Sequence, residues 1–260
     1  MKKIYRYLAV VAALVVSAGA ARAEVVDFEQ PVNPGNAVAP FAPLLTHGDE
    51  FFQGNYYFNP FSNATGAMPG DLVGALVNGS DLSTCFSVTC PTNNRSTFYT
   101  SLNDGVLALG HLDNHLFTVK SFDASFLGGS DIGSLPAISG VLGLQGITAS
   151  GGSVLQTYQL AGPSAGVLSF ASYATTGDFS TTQFQALYVV GYACNTVGSC
   201  TAFNTNRGQF ALDNLQLISV TAVPEPETWS LMLLGLAGVG ALSRRQRAAA
   251  QRRLTATSKE

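Results

Sequence analysis

The chain has 260 residues, 47% of them hydrophobic and only 11% charged, with a formal net charge of −3 at pH 7. Ten of its 13 basic residues crowd into the two termini, so that between Glu24 and Ala222 only Arg95, Lys120 and Arg207 face 13 acidic residues, a net charge of −10. Such a body repels phosphate backbones and excludes nucleic-acid binding, which rests on clustered Lys and Arg, while divalent cations and neutral sugars are unopposed.

The chain begins like an exported one. Lys2, Lys3 and Arg6 precede an apolar stretch from Leu8 to Val16, and Ala21-Arg22-Ala23 offers signal peptidase small residues two apart. We therefore expect a signal peptide over 1–23 and a mature chain from Glu24. The body, 24–222, has the size of one domain and can bury a real core.

Residues 29–66 are dense in Pro, Gly and Asn and read as a long loop. After them, short β-like runs recur between turn signals: 71–79, 96–102, 105–112, 115–122, 138–149, 153–161, 166–174, 184–192, 208–212 and 214–222. About ten short strands with glycine punctuation and no intervening helices predict an all-β fold, a β-sandwich or jelly roll. Alternation such as Phe117-Thr118-Val119-Lys120 gives a strand one buried face and one wet face.

The four cysteines form two close pairs, Cys85/Cys90 and Cys194/Cys200. In an exported chain these predict two local disulfides; a zinc site is the alternative and would require both pairs to converge.

Three motifs invite a chemical reading. Gly162-Pro163-Ser164-Ala165-Gly166 fits the G-x-S-x-G elbow of serine hydrolases, but His47, His111 and His115 all lie upstream and a strand-like run follows, so we read a turn. In His111-Leu112-Asp113-Asn114-His115, Asp113-Asn114 suits a two-residue hairpin turn flanked by two imidazoles, an arrangement open to weak metal binding without a third ligand implied by spacing. Tyr56, Tyr57, Phe58 and Phe61 are hardware for stacking on sugars, although in a sandwich such a cluster is commonly packing, and the body has no tryptophan.

The tail runs Pro224-Glu225-Pro226, a spacer, an apolar run over 229–242, then Arg244, Arg245, Arg247, Arg252 and Arg253. These 14 residues, with Ser230 the one polar side chain, make a marginal transmembrane helix where about 20 are usual, and the arginines keep their end cytoplasmic while the body lies outside.

This order of elements resembles the PEP-CTERM sorting signal of Gram-negative bacteria, with the motif on Pro224, Glu225 and Pro226 and the basic cluster from Arg244 and Arg245. The resemblance implies recognition by an exosortase, a membrane-embedded, cysteine-protease-like enzyme. It also implies an inner-membrane intermediate and delivery to the cell surface or extracellular matrix. Gln209 to Asn214 (QFALDN) and the opening VVDFE also resemble the ends of PEP-CTERM bodies, which are similar to galactose-binding-like carbohydrate modules. Such modules often hold a structural calcium between their ends, which here implies Asp27, Glu29 and Asp213 as ligands. Two functions are carried forward. One is a non-enzymatic exported protein whose jelly roll is structural or binds matrix polysaccharide. The other is a surface hydrolase with a carboxylate pair supplied by loop aspartates.

Overall fold

The computed structural model describes residues 22–34, 36–37, 43–85, 88–129, 131–220, 232–233 and 235–237. The compact unit Ala20–Thr221 holds every described strand. These are β1 (Arg22–Val26), β2 (Asn36–Ala37), β3 (Pro43–Thr46), β4 (Phe51–Gln53), β5 (Tyr56–Ser62), β6 (Leu72–Asn78), β7 (Thr97–Ser101) and β8 (Gly105–His111). Then follow β9 (Leu116–Phe126), β10 (Ile138–Ile147), β11 (Ser153–Ala161), β12 (Ala171–Ala174), a short helix α1 (Gly177–Thr181), β13 (Ala186–Cys194), β14 (Cys200–Thr201) and β15 (Phe210–Val220). The expected signal-peptide residues up to 21, Pro224–Glu225–Pro226, Arg244 and Arg245 lie outside the described residues. Within the apolar run, 232–233 and 235–237 are helical and expose Met232, Leu233 and Leu236. Among the described residues no helix is long and apolar enough to cross a membrane.

The strands build two antiparallel sheets, the jelly-roll-like sandwich that strand spacing predicted. The eight-stranded sheet runs β12-β9-β15-β7-β6-β3-β2, with β1 beside β15; the seven-stranded sheet runs β11-β10-β13-β8-β5-β4, with β14 beside β13. β15 organises the first. One edge pairs with β9, while the other takes β7 along Phe210–Leu212 and β1 along Leu215–Ser219. The two runs expected at 208–212 and 214–222 are therefore one strand, interrupted at Asp213 by a register shift with Asn214 at φ 50.

An aromatic column ties the sheets together. Phe51 stacks on Phe58 at 5.0 Å, Phe28 meets Phe58 at 5.6 Å and Tyr99 at 6.1 Å, and Tyr99 meets Phe210 at 6.1 Å. All five rings are fully buried, and burial of such rings is the largest apolar contribution a side chain makes.

The stretch 29–66 is not the long loop its composition suggests: β2, β3, β4 and β5 lie within it. Its prolines sit where strands tolerate them. Pro43 opens β3, and Pro60 lies beyond the end of β4, where β5 has β8 as its only partner in the sheet.

Both disulfides form as expected, Cys85–Cys90 and Cys194–Cys200, and no cysteine is free. Cys194 and Cys200 are direct register partners on β13 and β14. Cys85 and Cys90 belong to a loop that covers the outer face of the eight-stranded sheet, where Cys90 is buried with Ala75, Val77, Phe98, Leu102, Leu127 and Ala211.

Candidate functional site

The outer face of the seven-stranded sheet is of a different character. Along β5 burial alternates, so Tyr56 and Phe58 enter the core while Tyr57, Asn59 and Phe61 point outward. On β13 the same alternation buries Leu187 and Val189 and leaves Tyr188, Val190 and Tyr192 outside. The pairing register sets these side chains in rows. Tyr57 lies level with Gly110, Ala186, Ile147 and Ser153; Asn59 with Ala108, Tyr188, Gln145 and Leu155; and Phe61 with Val106, Val190, Gly143 and Thr157. Tyr192, Val141 and Gln159 form a further row. No charged side chain occurs in these rows. Four rings and the amides of Asn59, Gln145 and Gln159 share one surface, and Leu155 beside Gln145 is 60% exposed.

Two glycines let rings lie down on this surface. A Cβ at Gly110 would stand 2.5 Å from Tyr57 Oη and 2.7 Å from its Cζ, so the Tyr57 ring crosses β8 over that residue. A Cβ at Gly143 would fall 3.2 Å from Cε2 of Tyr192. Phe61 meets Tyr188 edge to face at 6.2 Å. Burial, then Tyr188, then Glu50 push the Tyr57 hydroxyl above the ordinary phenol value, so it stays a neutral donor. Within the rows, flat apolar faces alternate with neutral hydrogen-bonding groups, an arrangement able to take an uncharged polyhydroxylated ligand.

The remaining expected site residues lie elsewhere. Asp27 accepts hydrogen bonds from Gln53 Nε2 at 2.6 Å and the Glu29 N–H at 3.1 Å, while Glu29 accepts from the Thr97 N–H at 2.9 Å and Thr97 Oγ1 at 3.1 Å. Asp213, fully buried, accepts from Asn94 Nδ2 at 2.7 Å, Ser96 Oγ at 2.8 Å and the Asn214 N–H at 2.8 Å. Glu29 and Asp213 thus rest on the successive residues Thr97 and Ser96, each with its own partners, and the three carboxylates are not gathered into one group.

Among the described residues, the group of His, Cys, Asp and Glu with ligand atoms in mutual reach is His111, Asp113 and His115. The connection that carries it is not a hairpin, because β8 belongs to one sheet and β9 to the other. The Asn114 N–H donates to the His111 carbonyl at 3.0 Å, which puts Leu112 and Asp113 at the centre of the turn and leaves Asn114 at φ 56. The Gly162–Gly166 segment is a turn, as read: Ser164 and Val167 exchange hydrogen bonds of 2.9 and 3.0 Å around Ala165 and Gly166, both at positive φ.

Sequence reasoning singled out Tyr57 and Phe61 but missed Tyr188 and Tyr192. Their signal was the alternation in Leu187-Tyr188-Val189-Val190-Gly191-Tyr192, which marks one face.

Residues 222–247 match the PEP-CTERM protein-sorting motif, and the chain carries that motif. No curated protein matches the chain. It is similar to solved structures at a distance. An arabinose-bound GH51 α-L-arabinofuranosidase shares 15% identity over 78% of this chain and 27% of its own length, with a TM-score of 0.35. A DUF4465 family protein from Bacteroides ovatus shares 10% over 77% and 99%, at 0.38. TmCBM61 in complex with β-1,4-galactotriose shares 9% over 64% and 88%, at 0.30. The chain spans about a quarter of the arabinofuranosidase, and likenesses this distant decide neither activity nor ligand.

Proposed function

We propose that this is a non-enzymatic exported protein, processed by signal peptidase and then sorted by an exosortase to the cell surface or extracellular polysaccharide matrix. Its seven-stranded sheet holds neutral polysaccharide there. The sorting half rests on the tail motif at residues 222–247. The binding half rests on one observation: the outer face carries Tyr57, Phe61, Tyr188 and Tyr192 among amides, with no charge in the rows between them.

Chemistry supports this over a hydrolase. Glycoside hydrolysis needs two carboxyl groups flanking the scissile bond, and the rows that bear the rings contain neither Asp nor Glu. Stacking needs only flat apolar faces and hydroxyl partners, which these rows supply. Acidic polymers are disfavoured by a body of net charge −10.

A glycan array probed with the detergent-solubilised full chain tests the reading. Binding to neutral polysaccharides is expected, weakened about tenfold or more by Tyr188→Ala, the loss of roughly 1.4 kcal/mol or more that a central aromatic anchor supplies. No binding to any neutral glycan, or binding indifferent to Tyr188, counts against it.

A further inference from the structure

We infer that His111, Asp113 and His115 form a binding site for a transition-metal ion of the zinc class, at the connection where the chain passes from one sheet to the other. One ligand atom from each residue lies within 4.8 Å of the other two. Three donors on a zinc ion at about 2.1 Å stand roughly 3.4 Å apart in a tetrahedron, so closure needs only small side-chain rotations. Two imidazoles and a carboxylate suit zinc and its first-row neighbours, whereas calcium takes six to eight oxygens.

The supporting structure already positions the donors. His111 ends β8, is 4% exposed, and is held by the edge of Tyr56 at a ring separation of 5.2 Å. The rings of His111 and His115 are 4.8 Å apart. The turn is moored from outside by the Leu112 N–H, which donates to the Asn55 carbonyl at 2.8 Å. Asn55 is fixed in turn by Glu24, whose carboxylate accepts from the Asn55 N–H at 3.1 Å and from Nδ2 at 2.9 Å. Pre-fixed donors lose little freedom on binding, which favours affinity.

The Asp113 N–H donates to His111 Nδ1 at 3.1 Å. An ion taking that nitrogen releases one N–H, on an exposed residue, to water. With three protein ligands, the fourth position faces solvent and is filled by water or an outside donor. The ion ties the end of β8, through His111, to the connection that leads into β9 in the other sheet.

The test uses the untagged full chain in detergent, stripped with chelator and titrated with zinc chloride alone at neutral pH. One equivalent is expected to bind and to raise the melting temperature, since a ligand of the native state stabilises it by mass action. Asp113 is exposed and His115 only partly covered, so Asp113→Asn and His115→Ala leave the core intact; each is expected to weaken zinc binding more than about tenfold. Calcium chloride at the same concentration is expected to give no signal that His115→Ala removes. Failure of the wild type to bind zinc, or stoichiometric binding unchanged in both variants, overturns the site. Neither result touches the aromatic face, which the glycan array tests separately.

Discussion

At the scale of single residues, the two faces of the molecule differ by what lies one position away. Asp213 is the clearest buried case. Its carboxyl is pushed above the usual range by burial, the donors Asn94, Ser96 and Asn214 pull it back, and Asp123 adds repulsion. The sign of its effect follows from linkage. The folded chain keeps this proton in a pH range where the unfolded chain, near 3.8, has already released it, so its contribution to stability is greatest below that value and falls as pH rises through the higher folded value. Asp213→Asn cannot titrate. Comparing urea midpoints, the wild type is expected to gain on Asp213→Asn as pH is lowered from about 7 to about 4, and a wild type that loses ground to Asp213→Asn over that range contradicts the assignment.

At the scale of elements, β5 displays the alternation that divides core from surface. Phe58 is fully buried against Phe28 and Phe51, whereas Tyr57, one residue earlier, points out. Phe58→Ala is expected to cost about 3–5 kcal/mol, and Tyr57→Ala less than about 1 kcal/mol, in chemical denaturation. Equal costs would mean that β5 is not seated in this register. Most strand runs after residue 71 and both disulfides were legible because apolar periodicity and cysteine spacing are local signals, but the run 166–174 is a strand only over β12 and the short helix α1 follows it where none was expected. β2 to β5 were not, because their prolines and glycines imitate a loop and only pairing with β6 and β8 makes them strands. The turn at His111–His115 was legible as a turn but not as a passage between sheets, since nothing local tells a hairpin from a crossover. Asp113 went unnoticed as a partner of the histidines for the same reason. The ring face was half legible: Tyr57 and Phe61 stood out by clustering, while Tyr188 and Tyr192 joined them only through the order β13-β8-β5.

At the scale of the whole molecule, one outer face is closed and the other is presented. The loop with Cys85–Cys90 covers the eight-stranded sheet, and the seven-stranded sheet carries its rings outward. The tail motif at residues 222–247 bears on sorting, and on the proposed reading it carries this face to extracellular polysaccharide. Glu225→Ala is expected to leave a larger, membrane-retained form on immunoblots of fractionated cells, and unchanged maturation would separate this chain from exosortase sorting. Whether Tyr57 and its neighbouring rings hold a neutral polysaccharide, as proposed, turns on Gly110, where a single methyl group must displace the Tyr57 ring. The direct measurement is co-sedimentation of the full chain with an insoluble neutral polysaccharide chosen from the array, comparing wild type with Gly110→Ala at matched melting temperature. The wild type is expected to sediment with the polymer and Gly110→Ala to lose about tenfold in affinity. Equal sedimentation of the two at unchanged stability would contradict the proposal.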